Sequence, residues 1–348
     1  MKISVGQIPE ILMHCHDMGA IPYLEGPPGV GKSEVIHQFR DALGEKLCPE
    51  GKSFFYMEFR GSTAEPTDIV GLPFPVGGRT AFLKPSWWPE MGPGLFFLDE
   101  FPQASPAVMC AFSQIFDRVA EGATFPRDIM IVLAGNRITD GAATNRIPSH
   151  IRNRILHFEV DFSVDAWSSY NLSAGIRPEI VAFGRFKPEM FCETPPKDGK
   201  PFMSGRSLAR CSQVLELGVG KPLDLAMYAA LIGEEAAVTL VGFLRVCQSI
   251  VSPDVILLDP ANAPIPAEKS AMIAVCTALA HKATPANFDR ICQYALRLAA
   301  EDSILLVVGS IQKDNAGRKT GTVKSPPLAA VGGRAFIEWT AKFQDVLR

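Results

Sequence analysis

The sequence predicts an α/β protein in which a parallel sheet flanked by helices is followed by a helical region. Short apolar runs alternate with helical patterns up to about residue 160, and helical patterns dominate after it. Hydrophobic residues make up 47% of the 348-residue chain, which is enough to fill the cores of two domains. We therefore expect an α/β domain over residues 1–165 and a helical region over residues 166–348.

Five apolar runs are the predicted strands. Continuous apolar runs are typical of strands buried on both faces of a parallel sheet. The runs are AIPYL (20–24), SFFYMEF (53–59), GLFFLDE (94–100), IMIVLAGN (129–136) and ILHFEV (155–160). Between the third and fourth runs, residues 106–119 predict a helix, because Val108, Phe112, Ile115 and Val119 recur at helical spacing.

Long helical patterns follow residue 160, interrupted by the polar, proline-rich stretch CETPPKDGKPF at 192–202. They are DLAMYAALIGEEAAVTLVGFLRVCQSI, AEKSAMIAVCTALAHKA and NFDRICQYALRLAAED. No internal repeat interrupts this order, so a second, helical part of the chain is the simplest interpretation.

Composition excludes several classes of protein. The formal net charge of −3 gives no global basic field for binding nucleic acid. The eight cysteines are scattered singly without a C-x-x-C pair, which argues against a zinc site or a disulfide framework. The first residues lack a signal-peptide pattern, and no segment has about 18 uninterrupted apolar residues. We expect a cytoplasmic protein with reduced thiols and no membrane span.

Residues 25–34, EGPPGVGKSE, contain the pattern G-x-x-x-x-G-K-S between a predicted strand and a predicted helix. Glycines let successive backbone N–H groups turn toward a phosphate, the lysine adds charge, and the serine hydroxyl can bind Mg²⁺. The start of the helix adds its positive end. An ordinary Gly/Pro turn would explain neither the lysine nor the serine. The pattern predicts ATP and Mg²⁺ as ligands of a P-loop NTPase fold, with the nucleotide at Gly26, Pro27, Pro28, Gly29, Val30, Gly31, Lys32, Ser33 and Glu34.

The run LFFLDE supplies the acidic residues that hydrolysis requires. Asp99 follows four apolar residues and would emerge at the carboxyl end of a buried strand, where it could help Ser33 to hold Mg²⁺. Glu100 could orient or activate the attacking water. The alternative is a pair of carboxylates that caps the next helix. Taken together with the phosphate loop, the hydrolytic interpretation is the stronger one.

The next strand ends in AGNR, so Asn136 also falls at a strand terminus. Its amide could contact the γ-phosphate or the lytic water without adding charge. Asparagines are common in the turns that end strands, so Asn136 alone is weak evidence. Its position in the chain after Asp99 and Glu100 favours a functional role for it.

In this order, GPPGVGKS, LFFLDE, AGNR and IPSHIRNRI resemble the signature of AAA+ ATPases. The chain is most similar to the MoxR-type branch, close to the dynein-related group with CbbQ-like and phage-encoded ATPases. The segments EPTDIVGLPFP, SVDAWSSYNLSAGIRPEIVAF and MSGRSLARCSQVL support this branch. The resemblance covers residues 3–220 well and the remainder loosely.

The resemblance implies roles for four residues. Asn136 takes the sensor 1 position, and Arg206 takes the sensor 2 position at the start of a lid helix. Arg154 matches the arginine finger that reaches the ATP of a neighbouring subunit, and Arg152 is the alternative. The register is open because Asn153 stands where the family often has aspartate. Without this resemblance, either arginine would be interpreted as part of a surface salt bridge.

Residues 68–94 correspond to an insertion in helix 2 that lines or caps the central pore in MoxR-like rings. Within them, PVGGRTAFL predicts a hairpin, because Gly77 and Gly78 can take the positive φ of a tight turn. Trp87 and Trp88 are then candidates for gripping a polypeptide. The alternative is that both tryptophans pack internally or against a neighbouring subunit.

Three functions are compatible with these motifs. The first is a MoxR-like ATPase, a hexameric homo-oligomer that remodels a protein client, with a von Willebrand factor A domain protein as the partner the family implies. The second is a DNA-associated motor or loader; nucleic acid is the weaker choice, since the one basic stretch, residues 312–324, is predicted to be a solvated loop. The third, a scaffold that binds ATP without turnover, is disfavoured by Glu100.

Overall fold

The computed structural model describes residues 2–49, 53–140, 144–192, 194–196, 198–218, 223–319, 326–330 and 332–344. These residues form two compact units. The first lies within residues 1–162 together with 193–197, and the second within residues 163–192 and 198–348. The division into domains at residues 165 and 166 stays a prediction.

The first unit contains ten strands and five helices among the residues described. In chain order they are β1 (Lys2–Ser4), α1 (Ile8–Met18), β2 (Ile21–Glu25), α2 (Lys32–Leu47), β3 (Phe55–Arg60), α3 (Pro66–Val70), β4 (Leu72–Val76), β5 (Arg79–Leu83), β6 (Gly94–Asp99), α4 (Pro106–Phe116), β7 (Val119–Ala120), β8 (Ala123–Thr124), β9 (Ile129–Gly135), α5 (Ser149–Arg152) and β10 (Ile155–Asp161).

Six strands form a parallel sheet in the order β1-β10-β2-β9-β6-β3. All five strands predicted from apolar runs are in it. The sixth, β1, was not predicted, because three residues are too short for a periodicity to be read. The predicted fold class, a parallel sheet flanked by helices and followed by a helical region, is confirmed.

The central strands are buried on both faces because alternate residues pack against different helices. In β6, Phe96 belongs to the apolar layer that contains Phe112 of α4. The next residue, Phe97, belongs to the opposite layer, which contains Phe39 of α2. This arrangement explains why the strands read as continuous apolar runs instead of alternating ones.

Two antiparallel hairpins accompany the sheet. The predicted hairpin is confirmed: β4 pairs with β5 through a turn at Gly77 and Gly78, whose φ angles are 55° and 76°. The second hairpin pairs β7 with β8 and was not predicted. It corrects the helix prediction for residues 106–119, since α4 ends at Phe116 and Val119 is an exposed strand residue. Helical spacing alone placed Val119 in the core, whereas the chain turns at Arg118, which has a φ of 64°.

The second unit is helical among its described residues. Its helices are α6 (Val164–Ser173), α7 (Pro178–Phe186), α8 (Gly205–Leu217), α9 (Leu223–Ile232), α10 (Glu234–Ser249), α11 (Pro253–Leu258), α12 (Lys269–Lys282), α13 (Phe288–Ala295), α14 (Ala300–Lys319) and α15 (Arg334–Phe343). The long pattern over residues 224–250 is divided into α9 and α10 at Gly233, whose φ is 84°.

In the basic stretch at 312–324, the described residues 312–319 do not form the solvated loop that we predicted. Residues 312–319 belong to α14, and Asp314 and Gly317 there are buried. Residues 320–325 lie outside the part of the chain that is described. A cluster of lysines and arginines predicts solvent exposure. The long apolar stems of these side chains can nevertheless cover apolar surface while their charged ends stay near water, so a basic stretch can also belong to a packed helix.

Among the helices described, none is long and apolar enough to cross a membrane.

Candidate nucleotide-binding and hydrolysis site

The phosphate loop joins β2 to α2 and is shaped by two glycines. Gly29 and Gly31 have φ angles of 76° and 104°, which residues with a side chain rarely adopt. Gly31 directly precedes Lys32, the first residue of α2, and Val30 is buried in the apolar layer beneath the loop. The loop therefore has the backbone geometry of an anion-binding turn at a helix N-terminus.

Lys32 lies at the centre of this loop. Its side chain is buried, with 7% of the residue exposed. The ammonium group donates to the carbonyl oxygens of Gly26 (2.6 Å) and Pro27 (2.9 Å) and to Oδ1 of Asn136 (3.3 Å). A buried ammonium needs several acceptors, and these contacts hold the charge where the loop backbone turns. They also bring Asn136, which is 104 residues away in sequence, to the phosphate loop.

Ser33 and Asp99 form the second contact across the sheet edge. The Ser33 hydroxyl donates to Oδ2 of Asp99 over 2.8 Å. Asp99 ends β6, and Asn136 follows the end of β9, the strand between β6 and β2. The carboxyl ends of adjacent parallel strands thus collect the residues that the sequence placed at strand termini.

The oxygen atoms of Ser33 and Asp99 suit Mg²⁺. Mg²⁺ prefers oxygen ligands and is usually held by one or two carboxylates together with substrate phosphates, not by a cage made of protein alone. In keeping with this, the described residues contain no cluster of three or more His, Cys, Asp or Glu side chains that could hold a metal. The pair fits the predicted Mg²⁺ site.

Glu100 has an unusual backbone conformation, with φ at 54° and ψ at 33°. Its amide N–H donates to Oδ1 of Asp99 over 2.9 Å, and its carboxylate accepts a hydrogen bond from the Ser62 hydroxyl. Gly61, the first residue of the turn after β3, allows the two segments to approach closely, because a Cβ there would lie 2.6 Å from the Glu100 carbonyl oxygen. Left-handed backbone in a non-glycine residue is often found at functional sites.

Ser62 is a candidate functional residue that the sequence reasoning missed. It lies two residues after the end of β3, much as Glu100 directly follows β6, so its position near the end of an apolar strand was the available signal. A serine in a Gly/Ser/Thr turn is common, and nothing local distinguishes it from any other turn residue.

Glu34 and Pro28 are also among the predicted nucleotide contacts. Glu34 is exposed on the first turn of α2, and its carboxylate accepts a hydrogen bond from Gln38 (3.2 Å). Pro28 is half-buried in the loop. Their predicted contacts with a nucleotide stay predictions.

The two candidate finger arginines lie at the end of α5 and differ in their surroundings. Arg154 makes a paired contact with Asp117, from Nε to Oδ1 (2.7 Å) and from Nη2 to Oδ2 (2.9 Å), and Nη1 donates to the His150 carbonyl oxygen (2.6 Å). Arg152 is exposed and has no hydrogen bond or ion pair with a residue that the structure describes. Neither arginine hydrogen-bonds to the group around Lys32.

Arg206 belongs to the second unit. It is exposed in the first turn of α8, a helix capped by Ser204, whose hydroxyl accepts from the Ser207 N–H. Its predicted role at the γ-phosphate stays a prediction.

Trp87 and Trp88 pack internally, which was the alternative to gripping a client. Trp87 donates from Nε1 to the Asp68 carbonyl oxygen (2.8 Å) and stacks on Phe96 with ring centroids 5.2 Å apart. Trp88 meets the edge of Phe125 at 5.6 Å. The exposed large apolar side chains of this insertion are instead Met91 and five residues of the β4–β5 hairpin: Leu72, Phe74, Val76, Phe82 and Leu83.

No protein-family model and no curated protein matches the chain. Solved structures do resemble it in fold. A candidate ATPase of Cytophaga hutchinsonii is 12% identical, with 88% of this chain and 81% of that chain covered and a TM-score of 0.32. RuvB of Thermotoga maritima is 14% identical, with 86% of each chain covered and a TM-score of 0.36. NtrX of Brucella abortus in complex with ADP is 13% identical, with 99% of this chain and 68% of that chain covered and a TM-score of 0.40.

With TM-scores below 0.5, these similarities carry no argument about this chain. The chain's own parallel sheet, its glycine loop before α2 and the acidic end of β6 define a P-loop NTPase fold, as the motifs predicted. Its particular branch and activity are proposals.

Proposed function

We propose that the chain is an ATP-hydrolysing AAA+ ATPase of the MoxR-like branch that remodels or activates a partner protein. One observation carries the proposal: the Lys32–Asn136 and Ser33–Asp99 hydrogen bonds join three separate parts of the chain at one sheet edge. Structural packing alone does not need a lysine, a serine, an aspartate and an asparagine there, whereas phosphoryl transfer needs groups of these kinds.

Each of these residues has a separate role in the proposed hydrolysis. Lys32 and the loop N–H groups bind the phosphates. Ser33 and Asp99 would hold Mg²⁺, which would supply neutralisation of the phosphate charge. Glu100 orients the attacking water and accepts its proton, and Asn136 positions the water or the γ-phosphate. Ser62 holds the Glu100 carboxylate in one orientation, so it is a positioning residue.

An assembled ring would complete the site. We assign the finger to Arg154 and keep Arg152 as the alternative, and we assign Arg206 to the γ-phosphate within its own subunit. The Arg154–Asp117 pair does not oppose this role, because both side chains are exposed, and exposed ion pairs contribute about 0–1 kcal/mol. An arginine in such a pair can leave it for a more highly charged phosphate.

A protein client is supported by the β4–β5 hairpin. Most of its exposed side chains are apolar; the exposed polar residues of the two strands are Thr80 and Arg79, and Arg79 is the one cation. A contiguous exposed apolar surface is typical of protein contacts, whereas nucleic-acid binding needs clustered basic residues. The eight cysteines are free thiols, which supports a reducing compartment such as the cytoplasm.

The test is steady-state ATP turnover by the purified protein over a range of protein concentrations, with Mg²⁺ or with a chelator. We expect turnover that needs Mg²⁺ and rises more steeply than in proportion to protein concentration, because each complete site takes an arginine from a second subunit. Single- and double-stranded DNA should not change it. Turnover that is proportional to protein concentration and stimulated by DNA would instead support the DNA-associated motor.

A further inference from the structure

A cavity of about 330 Å³ lies at the end of the sheet opposite the phosphate loop. Residues that directly precede the central strands line it: Ala20 before β2, Pro93 before β6 and Asp128 before β9. The nucleotide site lies at the other ends of the same strands, so the two sites are separate. The volume is within the range of small-molecule pockets, about 300–1,000 Å³.

The floor of the cavity is apolar and its rim is charged. Cys15, Leu47 and Met130 supply apolar surface. The charged and titratable side chains that line it are His16, Arg118, Arg127 and Asp128. Two guanidinium groups therefore face one carboxylate, and this leaves a surplus of positive charge.

Arg118 is held in place at the cavity. Its Nη1 donates to the carbonyl oxygens of Pro126 (3.0 Å) and Ile129 (2.8 Å), while Nε and Nη2 have no hydrogen-bond partner in the described part of the chain. Its φ of 64° is a conformation that non-glycine residues rarely adopt. Burial lowers the pKa of Arg118, and the nearby Arg127 lowers it further, against the opposing effect of Asp128. The two cations are thus close enough to repel each other.

The carboxylate of Asp128 offsets only one of the two positive charges. Arg127 is exposed and has no hydrogen bond or ion pair with any described residue. The Asp128 carboxylate lies close to Gly92: a Cβ atom added to that glycine would be 2.5 Å from Oδ1 of Asp128. The ring of His16 contacts Asp17 instead (Nδ1 to Oδ1, 3.2 Å). The planar guanidinium group of arginine fits carboxylate and phosphate oxygens. Unpaired guanidinium N–H groups beside apolar surface therefore suit a ligand that has an oxyanion at one end and an apolar part at the other.

We propose that this cavity binds a small ligand bearing a carboxylate or a phosphate group, with its oxygens at Arg118 and Arg127 and its apolar part against Leu47 and Met130. The site is independent of the nucleotide site and does not rest on the proposed function.

The test is isothermal titration of inorganic phosphate and, separately, of succinate at constant ionic strength. The protein carries Lys32→Ala, so that phosphate binding at the phosphate loop does not contribute. The same titrations are made with Arg127→Gln or Arg118→Gln added, and with Arg210→Gln added as a control, because Arg210 is an exposed arginine on α8.

We expect at least one of the two anions to bind, and Arg127→Gln to weaken its binding by about ten- to a hundredfold, the effect of one charge-assisted hydrogen bond. Arg210→Gln should leave binding unchanged. Binding of phosphate alone would assign the site to phosphate esters, and binding of succinate alone to carboxylates.

The proposal is overturned if neither anion binds, or if binding is the same with and without Arg127→Gln. Arg118→Gln removes two hydrogen bonds to the backbone, so its fold is checked by circular dichroism. If that variant does not fold, the exposed Arg127 still decides the result.

Discussion

At the residue scale, the structure explains why a buried charge can be tolerated in the phosphate loop. The Lys32 ammonium has three oxygen acceptors in place, two of them loop carbonyls. These contacts offset part of the cost of removing the charge from water. They also fix the ammonium beside the loop N–H groups, so little reorganisation is needed for Lys32 to turn toward a phosphate.

We predict that Lys32→Ala weakens ATP binding by about a hundredfold, because it removes the fixed charge of the loop and leaves its acceptors without a donor. The measurement is equilibrium binding of a fluorescent ATP analogue. Lys46→Ala, an exposed lysine on the same helix, is the matched control and should bind normally. Unchanged affinity in Lys32→Ala would exclude this loop as the phosphate site.

Glu100 differs from Asp99 in its left-handed backbone conformation and in the residue that hydrogen-bonds to its carboxylate. Asp99 contacts Ser33, whereas the Glu100 carboxylate is directed to the Ser62 hydroxyl. The two adjacent carboxylates thus have different neighbours. This arrangement suits Asp99 for binding the metal and Glu100 for binding the attacking water.

We expect Glu100→Gln to keep ATP affinity and to lower turnover by about 10²- to 10⁴-fold, since the amide has nearly the same shape but cannot accept the proton. Binding and steady-state turnover are measured on the same preparation. Glu121→Gln is the control, because Glu121 is an exposed glutamate that also has a positive φ, 46°. Near-normal turnover in Glu100→Gln would move the catalytic role elsewhere, with Asp99 the first residue to test.

At the element scale, α7 contains a residue whose environment is unfavourable. The Arg185 side chain is 6% exposed, and its Nε and Nη2 atoms are buried without a hydrogen-bond partner in the described residues. The nearest carboxylate oxygen, on Asp165, is 4.0 Å away, and the Asp165 side chain is 75% exposed. Burial lowers the pKa of Arg185, but a guanidinium does not lose its proton in proteins, so the charge remains and destabilises the packing.

Arg185→Met is therefore predicted to stabilise the protein, by about 1–4 kcal/mol if it follows other replacements of buried charges by apolar side chains. The measurement is the free energy of unfolding in urea. Arg177→Met is the contrasting variant at the opposite end of the same helix. Arg177, the N-cap residue of α7, pairs with Glu179 (Nη2 to Oε1, 2.7 Å), so this variant should lose up to about 1 kcal/mol of stability. A loss of stability in Arg185→Met would mean that the guanidinium has a partner that compensates its burial.

At the scale of the whole molecule, the finger arginine connects the site to assembly. Within one subunit Arg154 is engaged by Asp117, and Arg152 is free of described partners. A finger must leave its own subunit, so the assignment depends on which arginine reaches a neighbouring ATP in a ring.

We predict that Arg154→Ala loses about 10³- to 10⁵-fold in turnover while keeping ATP affinity, as for arginines that stabilise charge in other phosphoryl-transfer enzymes. Mixing it with Glu100→Gln subunits should restore part of the activity. In the mixture, a Glu100→Gln subunit can present its intact arginine to the intact Glu100 of an Arg154→Ala subunit.

Turnover is measured for each variant alone and after subunit exchange, with Arg152→Ala run in parallel. If Arg152→Ala is the inactive variant and Arg154→Ala is not, the finger is Arg152. If both are active and the protein stays monomeric with ATP, the ring proposal is wrong.

The sequence by itself determined the features that depend on neighbouring residues. Five strands were predicted because strands buried on both faces are continuously apolar, and the phosphate loop and the Gly77–Gly78 turn because both need glycine at positive φ. Periodicity failed at Val119, where the chain changes direction. Basic charge failed as an indicator of a solvated loop over residues 312–319, which belong to α14.

Only the tertiary structure decided the features that depend on strand order. The contacts between Lys32 and Asn136, and between Glu100 and Ser62, join residues 104 and 38 positions apart. The burial of Trp87 and Trp88 depends on the aromatic side chains that the sheet places beside them. No local pattern encodes which strands become neighbours, because that choice is made by the packing of the whole sheet against its helices. For this reason the exposure of the apolar hairpin residues and the charged cavity could be found only in the folded chain.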